Sequence, residues 1–256
     1  MSSAALPIAV QLYSLRKMTD SFDAVLGHVA AAGYTGVETI GDHGLSAAAM
    51  NDLLQKHNLK AISTHVQYKA LTENFDAVVA FHQAIGNPVI TLPVPPERPT
   101  EADGWKKLGR MFDELGARVA DRGMKLLYHN HNFEMVEYDG ARGLVWMLDA
   151  AKPEHLGWEP DLAWIVRGQA DPLALLKQYA GRCLRIHAKD LAPAGTAEDE
   201  MGFADVGHGT LDWNALLPAA KAAGGEWFVV EHDLPKDPVR SITRSCAFLR
   251  SKAALI

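Results

Sequence analysis

The stretch "DPLALLKQYAGRCLRIHAKD", Asp171 to Asp190, changes its periodicity half-way along. Up to Gly181, apolar residues recur at the three- and four-residue spacing of one buried helix face. This part opens on an aspartate suited to N-capping and stops at a glycine, which readily takes the left-handed conformation that ends a helix. The remainder, "CLRIHAKD" (183–190), is a short strand-like apolar run tipped with ionisable residues. One helix–strand unit is written here, with its chemistry at the end of the strand.

The unit recurs along the chain. Strand-like runs stand at "PIAVQLY" (7–13), "GVETI" (36–40), "AISTHV" (61–66), "PVITLP" (88–93), "KLLYHN" (125–130), "LGWEPD" (156–161), "CLRIHAKD" (183–190) and "WFVVEHD" (227–233). Helical spacing fills the intervals: in "DSFDAVLGHVAAAG", Phe22, Val25, Leu26, Val29 and Ala30 share one face, and further stops fall at Gly33, Gly123 and Gly224. No linker or composition break divides the eight units, so one domain over 1–256 is expected. Eight strand–helix units in about 250 residues predict a (β/α)₈ barrel. A doubly wound open sheet usually has fewer units and a glycine-rich first turn. Here "QLYSLRKMTD" follows the first strand, with neither GxGxxG nor a P-loop.

Composition narrows the function. The 256 residues are 48% hydrophobic, enough to bury a full core. Lys and Arg number 25 against 31 Asp and Glu, a formal net charge of −6, which speaks against a nucleic-acid partner. Cys183 and Cys246 lie in apolar surroundings without CxxC spacing and read as buried thiols. No apolar run approaches the ~18 residues of a membrane span. The start, "MSSAALPIAVQLYSLR", has no basic leader region, so no signal peptide and a cytoplasmic location are expected.

Active sites of such barrels form at the C-terminal ends of the strands. Those ends carry Gln11 and Tyr13, then Glu38, then His65. The fifth to eighth strands end in His129, Asn130 and His131, in Asp161, in His187, Lys189 and Asp190, and in Glu231, His232 and Asp233. The fourth ends in "PVPPE", which can only shape a wall. One such histidine or aspartate is ordinarily a hydrogen-bonded loop residue. His129, Asp161, His187 and Glu231 at matching ends of consecutive strands point instead to one divalent ion: Mn²⁺, Zn²⁺, Co²⁺, Fe²⁺ or Mg²⁺.

These motifs resemble the sugar phosphate isomerase/epimerase superfamily, with its xylose isomerase-like TIM barrel. The likeness is carried by "VQLYSLR", "GYTGVETIG", "YHNHNFE", "DLAWIVRGQADPLALLKQYAGRCLRIHAKD", "DVGHGTLDW" and "VVEHD". It implies a metal held by a Glu, an Asp, a His and a Glu from strands 5 to 8. Asp161, His187 and Glu231 match the last three positions. His129 stands where the strand 5 Glu is common, and Glu134 is the alternative ligand, at an awkward reach for a strand rising about 3.3 Å per residue.

The resemblance implies a metal-dependent isomerase or epimerase acting on a sugar or keto-sugar through an ene-diolate. Glu231 would be ligand and acid/base. With the strand 5 glutamate missing, the second acid/base falls to His131, Lys189, His65 or Glu38. A lysine beside a metal would have its pKa lowered toward a neutral base; the alternative is an anchoring cation paired with Asp190. Glu38 and His65 are candidate anchors for substrate hydroxyls, Trp164 a stacking wall, and His208 another imidazole near the substrate. Tyr13, Trp105 and Phe133 also stand near rim loops, while Trp146 reads as helix packing. A lyase or dehydratase acting on a keto-sugar, keto-glycoside or keto-cyclitol uses the same enolate and is the alternative. A non-catalytic sugar-binding barrel is the reading from another class, and an endonuclease fits badly with the acidic charge. The expected partner is a small-molecule sugar, with neither nucleic acid nor membrane; a homo-oligomer is compatible with all of this.

Overall fold

The apolar runs condense into eight parallel strands in the computed structural model, which describes residues 6–255. They are β1 (Ile8–Gln11), β2 (Gly36–Ile40), β3 (Lys60–His65), β4 (Val89–Leu92), β5 (Lys125–His129), β6 (Leu156–Glu159), β7 (Arg185–Ala188) and β8 (Trp227–Val230). Hydrogen bonding runs β6-β5-β4-β3-β2-β1-β8-β7. Isolated bridges, Trp158 to Cys183 and Asp161 to His187, bring β6 against β7 and nearly close the ring. Pairing is sparse at this seam, where Pro160 has no N–H to donate. Residues 1–5, where the absence of a leader was expected, lie outside the described residues. No helix among the described residues is long and apolar enough to cross a membrane.

Helices between the strands follow the sequence signals. Asp161, Asp171, Asp212 and Asp237 each cap a helix through a side-chain oxygen, and Pro172 and Pro238 stand in the first turns that Asp171 and Asp237 cap. Gly33, Gly123, Gly181 and Gly224 all have positive φ, as the predicted stops require. The long helix Ala102–Ala120 lies close on its neighbours because Gly109 and Gly116 have no side chain. A Cβ at Gly109 would come within 2.2 Å of the Met147 carbonyl oxygen.

Period-2 alternation sends the two faces of each strand into different surroundings. Ile8, Val10, Leu126, Tyr128, Leu156, Trp158, Ile186, Phe228 and Val230 point outward into the apolar layer shared with the helices. Each large side chain buried there contributes about 1.5–3 kcal/mol, so this layer carries the fold. Inside the ring Ala9, Ile62 and Val229 form an apolar floor. Above the floor the interior turns polar.

A bulge in β3 sets part of that polar interior. Val37 pairs with Ala61 but Glu38 pairs with Ser63, so Ile62 is an extra residue opposite β2. Ile62 joins the floor, and the phase then flips to send Ser63 and His65 inward. Strands 7 and 8 stop earlier than their apolar runs suggest. Lys189, Glu231 and Asp233 stand just past the ladder, where side chains are freed for the site, and Asp190–Leu191 instead pairs antiparallel with Phe203–Ala204.

Candidate metal centre and active site

Four strand ends bring His129, Asp161, His187 and Glu231 together, each offering one donor atom within 4.8 Å of the others. Asp161 serves two purposes. Its Oδ1 accepts from Trp164 N at 2.9 Å as a helix cap, which turns Oδ2 into the barrel. There Oδ2 lies 3.4 Å from His129 Nε2 and 3.8 Å from His187 Nδ1. His187 Nδ1 is 3.2 Å from Glu231 Oε2. Both His129 nitrogens and Asp161 Oδ2 are buried without a hydrogen-bond partner. Leaving such groups unsatisfied costs about 1–3 kcal/mol each, more for a charge. Burial and the nearby His187 push the His129 imidazole down to about 4, so it is a neutral donor.

A second group lies one layer below and shares His187. Its Nε2 is 2.7 Å from Glu38 Oε1 and 3.3 Å from Glu159 Oε2, while His65 Nε2 is 2.8 Å from Glu159 Oε2 and 3.1 Å from Glu38 Oε1. Imidazoles and carboxylates thus alternate around a ring at hydrogen-bond lengths. Glu38 also accepts from Gln11 Nε2 at 2.7 Å and from Ser63 Oγ, so both of its oxygens are engaged. Burial alone would lower the His65 imidazole, but Glu38 and Glu159 raise it to about 10. The same two carboxylates hold His187 well above its ordinary value against the effect of burial. Burial and the Glu38 charge push Glu159 up to about 7.

The two groups differ in what they can hold. Ligand distances of about 2.1 Å set neighbouring donors roughly 3.0–3.4 Å apart. Upper contacts of 3.2, 3.4 and 3.8 Å, with all four donors within 4.8 Å and orphaned atoms among them, suit a divalent ion after adjustment. The lower ring is already satisfied as hydrogen bonds.

Lys189 stands beside the upper group, fully buried. Its Nζ lies 2.7 Å from Glu231 Oε2, 2.9 Å from Asp233 Oδ1 and 3.1 Å from Asp161 Oδ2. Burial favours the neutral amine, yet these three carboxylates raise its pKa, so it is an ammonium. Of the two readings the sequence leaves open, the neutral lysine base has no support in these surroundings. Nor does Lys189 pair with Asp190. That aspartate accepts instead from the backbone N–H of Leu191, Gly207, Gly209 and Leu211 and from Trp213 Nε1, and so folds the loop after β7. Burial would raise Glu231, but Lys189 and His187 hold it well below the usual carboxylate range.

The segment after β5 is built on hydrogen bonds to its own polar residues. Asn130 Oδ1 accepts from Trp158 Nε1 at 3.0 Å and from Asp161 N at 3.1 Å, locking β5 to the end of β6. Glu134, fully buried, accepts from Tyr128 Oη at 2.6 Å and from His131 N at 2.8 Å. It positions the His131 backbone and belongs to neither donor group. His131 stacks on Phe133 and sits 5.2 Å from the Trp164 ring, with its Nδ1 buried and unpartnered. Burial, with His129 and Lys189 nearby, pushes it down to about 2.

Beyond the site, a profile of the family described as "Xylose isomerase-like TIM barrel" matches residues 26–252. The chain belongs to that family. An inosose dehydratase of Lacticaseibacillus casei is 22% identical, with 86% of this chain and 84% of that protein covered. A crystal structure of a sugar phosphate isomerase/epimerase from Parabacteroides distasonis superposes with a TM-score of 0.81 at 21% identity, covering 98% and 95% of the two chains. The IOLI protein, solved with a zinc atom, gives 0.77 at 16% identity, covering 96% and 99%. These structural likenesses concern the fold.

On this xylose isomerase-like frame, His129, Asp161, His187, Glu231, Lys189 and His131 meet in one place. Glu38 and His65 lie in the ring beneath, with Glu38 fully occupied. Trp164 lines the site, its ring between His131 and Phe203. His208 is not brought in: it is exposed and its ring lies toward Phe248 on the last helix. Trp105 is buried in packing, its ring against Gly143. Sequence reasoning missed Glu159. The available signal was its place two residues before Asp161, on the same inward face.

Proposed function

We propose that this protein is a divalent-metal-dependent lyase that removes water from a polyhydroxylated cyclic ketone. The observation that carries this reading is His131: a half-buried, neutral imidazole with an unpartnered Nδ1, its ring centred 5.0 Å from that of His129 in the donor group. Glu231 faces the same site, but its carboxylate is one of the four donors and is already engaged by Lys189 and His187. Proton exchange on two opposite faces of a substrate needs two competent bases. A single base suits removal of an α-proton and its return on the same side.

The four-donor group would hold the ion, and two imidazoles among its ligands favour Zn²⁺, Mn²⁺, Co²⁺ or Fe²⁺ over Mg²⁺. When bound, the ion polarises the ketone and stabilises negative charge on its oxygen. His131 Nδ1 accepts the proton from the carbon next to the carbonyl, and the electron pair moves onto the carbonyl oxygen. The enolate then collapses and expels the β-hydroxyl. That hydroxyl takes the proton back from His131 and leaves as water. Burial and the neighbouring Lys189 ammonium keep the resting imidazole weakly basic; the negative charge developing beside it raises its proton affinity during the transfer. The Lys189 ammonium adds electrostatic stabilisation, and the Trp164 ring offers a flat apolar wall.

The L. casei relative, by its name, dehydrates a keto-cyclitol, and the IOLI structure holds zinc; both support the reading. Transfer of the proton to the adjacent carbon, a 1,2-isomerisation, would use the same single base. Incubation of the metal-loaded protein with inosose, and separately with a free ketose, in deuterated water separates the two. Dehydration is expected to give an unsaturated product from inosose, abolished by chelator and restored by metal. Deuterium incorporated into the ketose without water loss from inosose would establish the isomerase instead.

A further inference from the structure

We propose that Lys189, tethered by Asp233, sets the affinity of the upper donor group for its divalent ion. The inference rests on the metal reading above and adds a built-in cation that competes for the same oxygens. Lys189 Nζ lies 2.7 Å from Glu231 Oε2 and 3.1 Å from Asp161 Oδ2, and both residues belong to the four-donor group. Its hydrogen bond, however, goes to Asp233 Oδ1 at 2.9 Å, and Asp161 Oδ2 has the ion-pair contact with Lys189 but no hydrogen bond. The ammonium therefore balances the two carboxylates without saturating their lone pairs.

Asp233 is placed to hold this arrangement. It follows Glu231 by two residues and belongs to neither donor group. Lys189 Nζ is also 4.9 Å from the Phe203 ring centroid and 5.4 Å from that of Trp164. Asp233 and these two aromatic faces make a seat into which the ammonium settles when an ion takes Asp161 and Glu231. All of this is buried, so solvent screens little of the repulsion between ammonium and ion. Lys189 keeps the carboxylates assembled in the absence of metal and weakens metal binding; Asp233 limits that weakening by drawing the ammonium aside.

The two residues then have opposite effects. Chelator-stripped protein is titrated with Co²⁺ and followed by its visible d–d absorption, with folding checked by far-UV circular dichroism. Lys189→Met is expected to bind Co²⁺ at least about tenfold more tightly than wild type. Asp233→Asn is expected to bind about tenfold more weakly, because the released ammonium settles onto Asp161 and Glu231. In the double variant the Asp233→Asn effect largely disappears. Unchanged or weaker binding by folded Lys189→Met overturns the inference, as does an Asp233→Asn effect of equal size in both backgrounds. If Lys189→Met does not fold, Asp233→Asn decides alone, since unchanged or tighter binding there is equally fatal. Wild-type protein that takes up no Co²⁺ would instead sink the metal reading itself.

Discussion

The Nε2 of His187 lies 2.7 Å from Glu38 Oε1 across the barrel interior, joining residues 149 positions apart in the chain. This contact fixes which ring nitrogen faces which layer. With Nε2 held by Glu38, Nδ1 is turned toward Glu231 and Asp161. A carboxylate on the far nitrogen also raises the basicity of the near one, an arrangement often found behind metal-binding histidines.

Glu38→Gln should therefore weaken divalent-ion binding although Glu38 is no ligand. The amide keeps the shape of the side chain but removes the charge behind His187. A loss of about 10- to 100-fold in affinity is expected, measured by metal titration of chelator-stripped protein. An unaltered dissociation constant would show that the ring beneath serves packing alone.

His131→Gln tests the base assignment. The residue is not among the four donors, so metal content by elemental analysis should match wild type. Turnover should fall by about two to four orders of magnitude, the usual worth of a positioned acid–base group. A variant retaining near-normal turnover would move the proton transfer to another residue.

Asp190 predicts an effect on the loop after β7. Its carboxylate takes five N–H donors from residues 191 to 213. Asp190→Ala leaves those donors unpaired in a largely buried setting and should cost about 2–4 kcal/mol in urea unfolding. Limited proteolysis should then cut first between residues 192 and 210. Equal resistance in both proteins would contradict this role.

The strands and helices were legible because their signals are local: apolar period, aspartate caps and glycine stops all act within one element. The four donors were legible too, since a barrel converts "end of strand" into "same rim". What escaped depended on phase and on contacts across the ring. The extra residue at Ile62 reverses which β3 side chains point inward, and no apolar period reveals it. Glu159 sits inside the run "LGWEPD", where only the terminal aspartate draws attention. Its partners, His65 and His187, come from other strands. Lys189 has Asp190 as its chain neighbour, but the inward face of β7 sends it to Asp161, Glu231 and Asp233 instead. Asp190 alternates to the opposite face and is left to the loop.

Outside the site, His82 should make stability pH-dependent. It is 1% exposed on the helix Phe75–Ala84, and its Nδ1 lies 3.3 Å from Asn87 Nδ2. An amide nitrogen can only donate, so Nδ1 accepts and the ring is neutral. Burial pushes its pKa from 6.5 down to about 4. Between those values the unfolded chain binds the proton and the folded chain does not, so unfolding is favoured as pH falls. This contribution is full above pH 6.5 and is lost as pH falls through 4, for a total of about 3 kcal/mol. Urea unfolding of wild type and His82→Gln at pH 7.5 and pH 4 isolates this contribution, because other titrating groups are common to both. Wild type should lose about 3 kcal/mol more than the variant over that range, and the gap should stop widening below pH 4. Parallel pH profiles for the two proteins would show that His82 binds its proton equally well in the folded state.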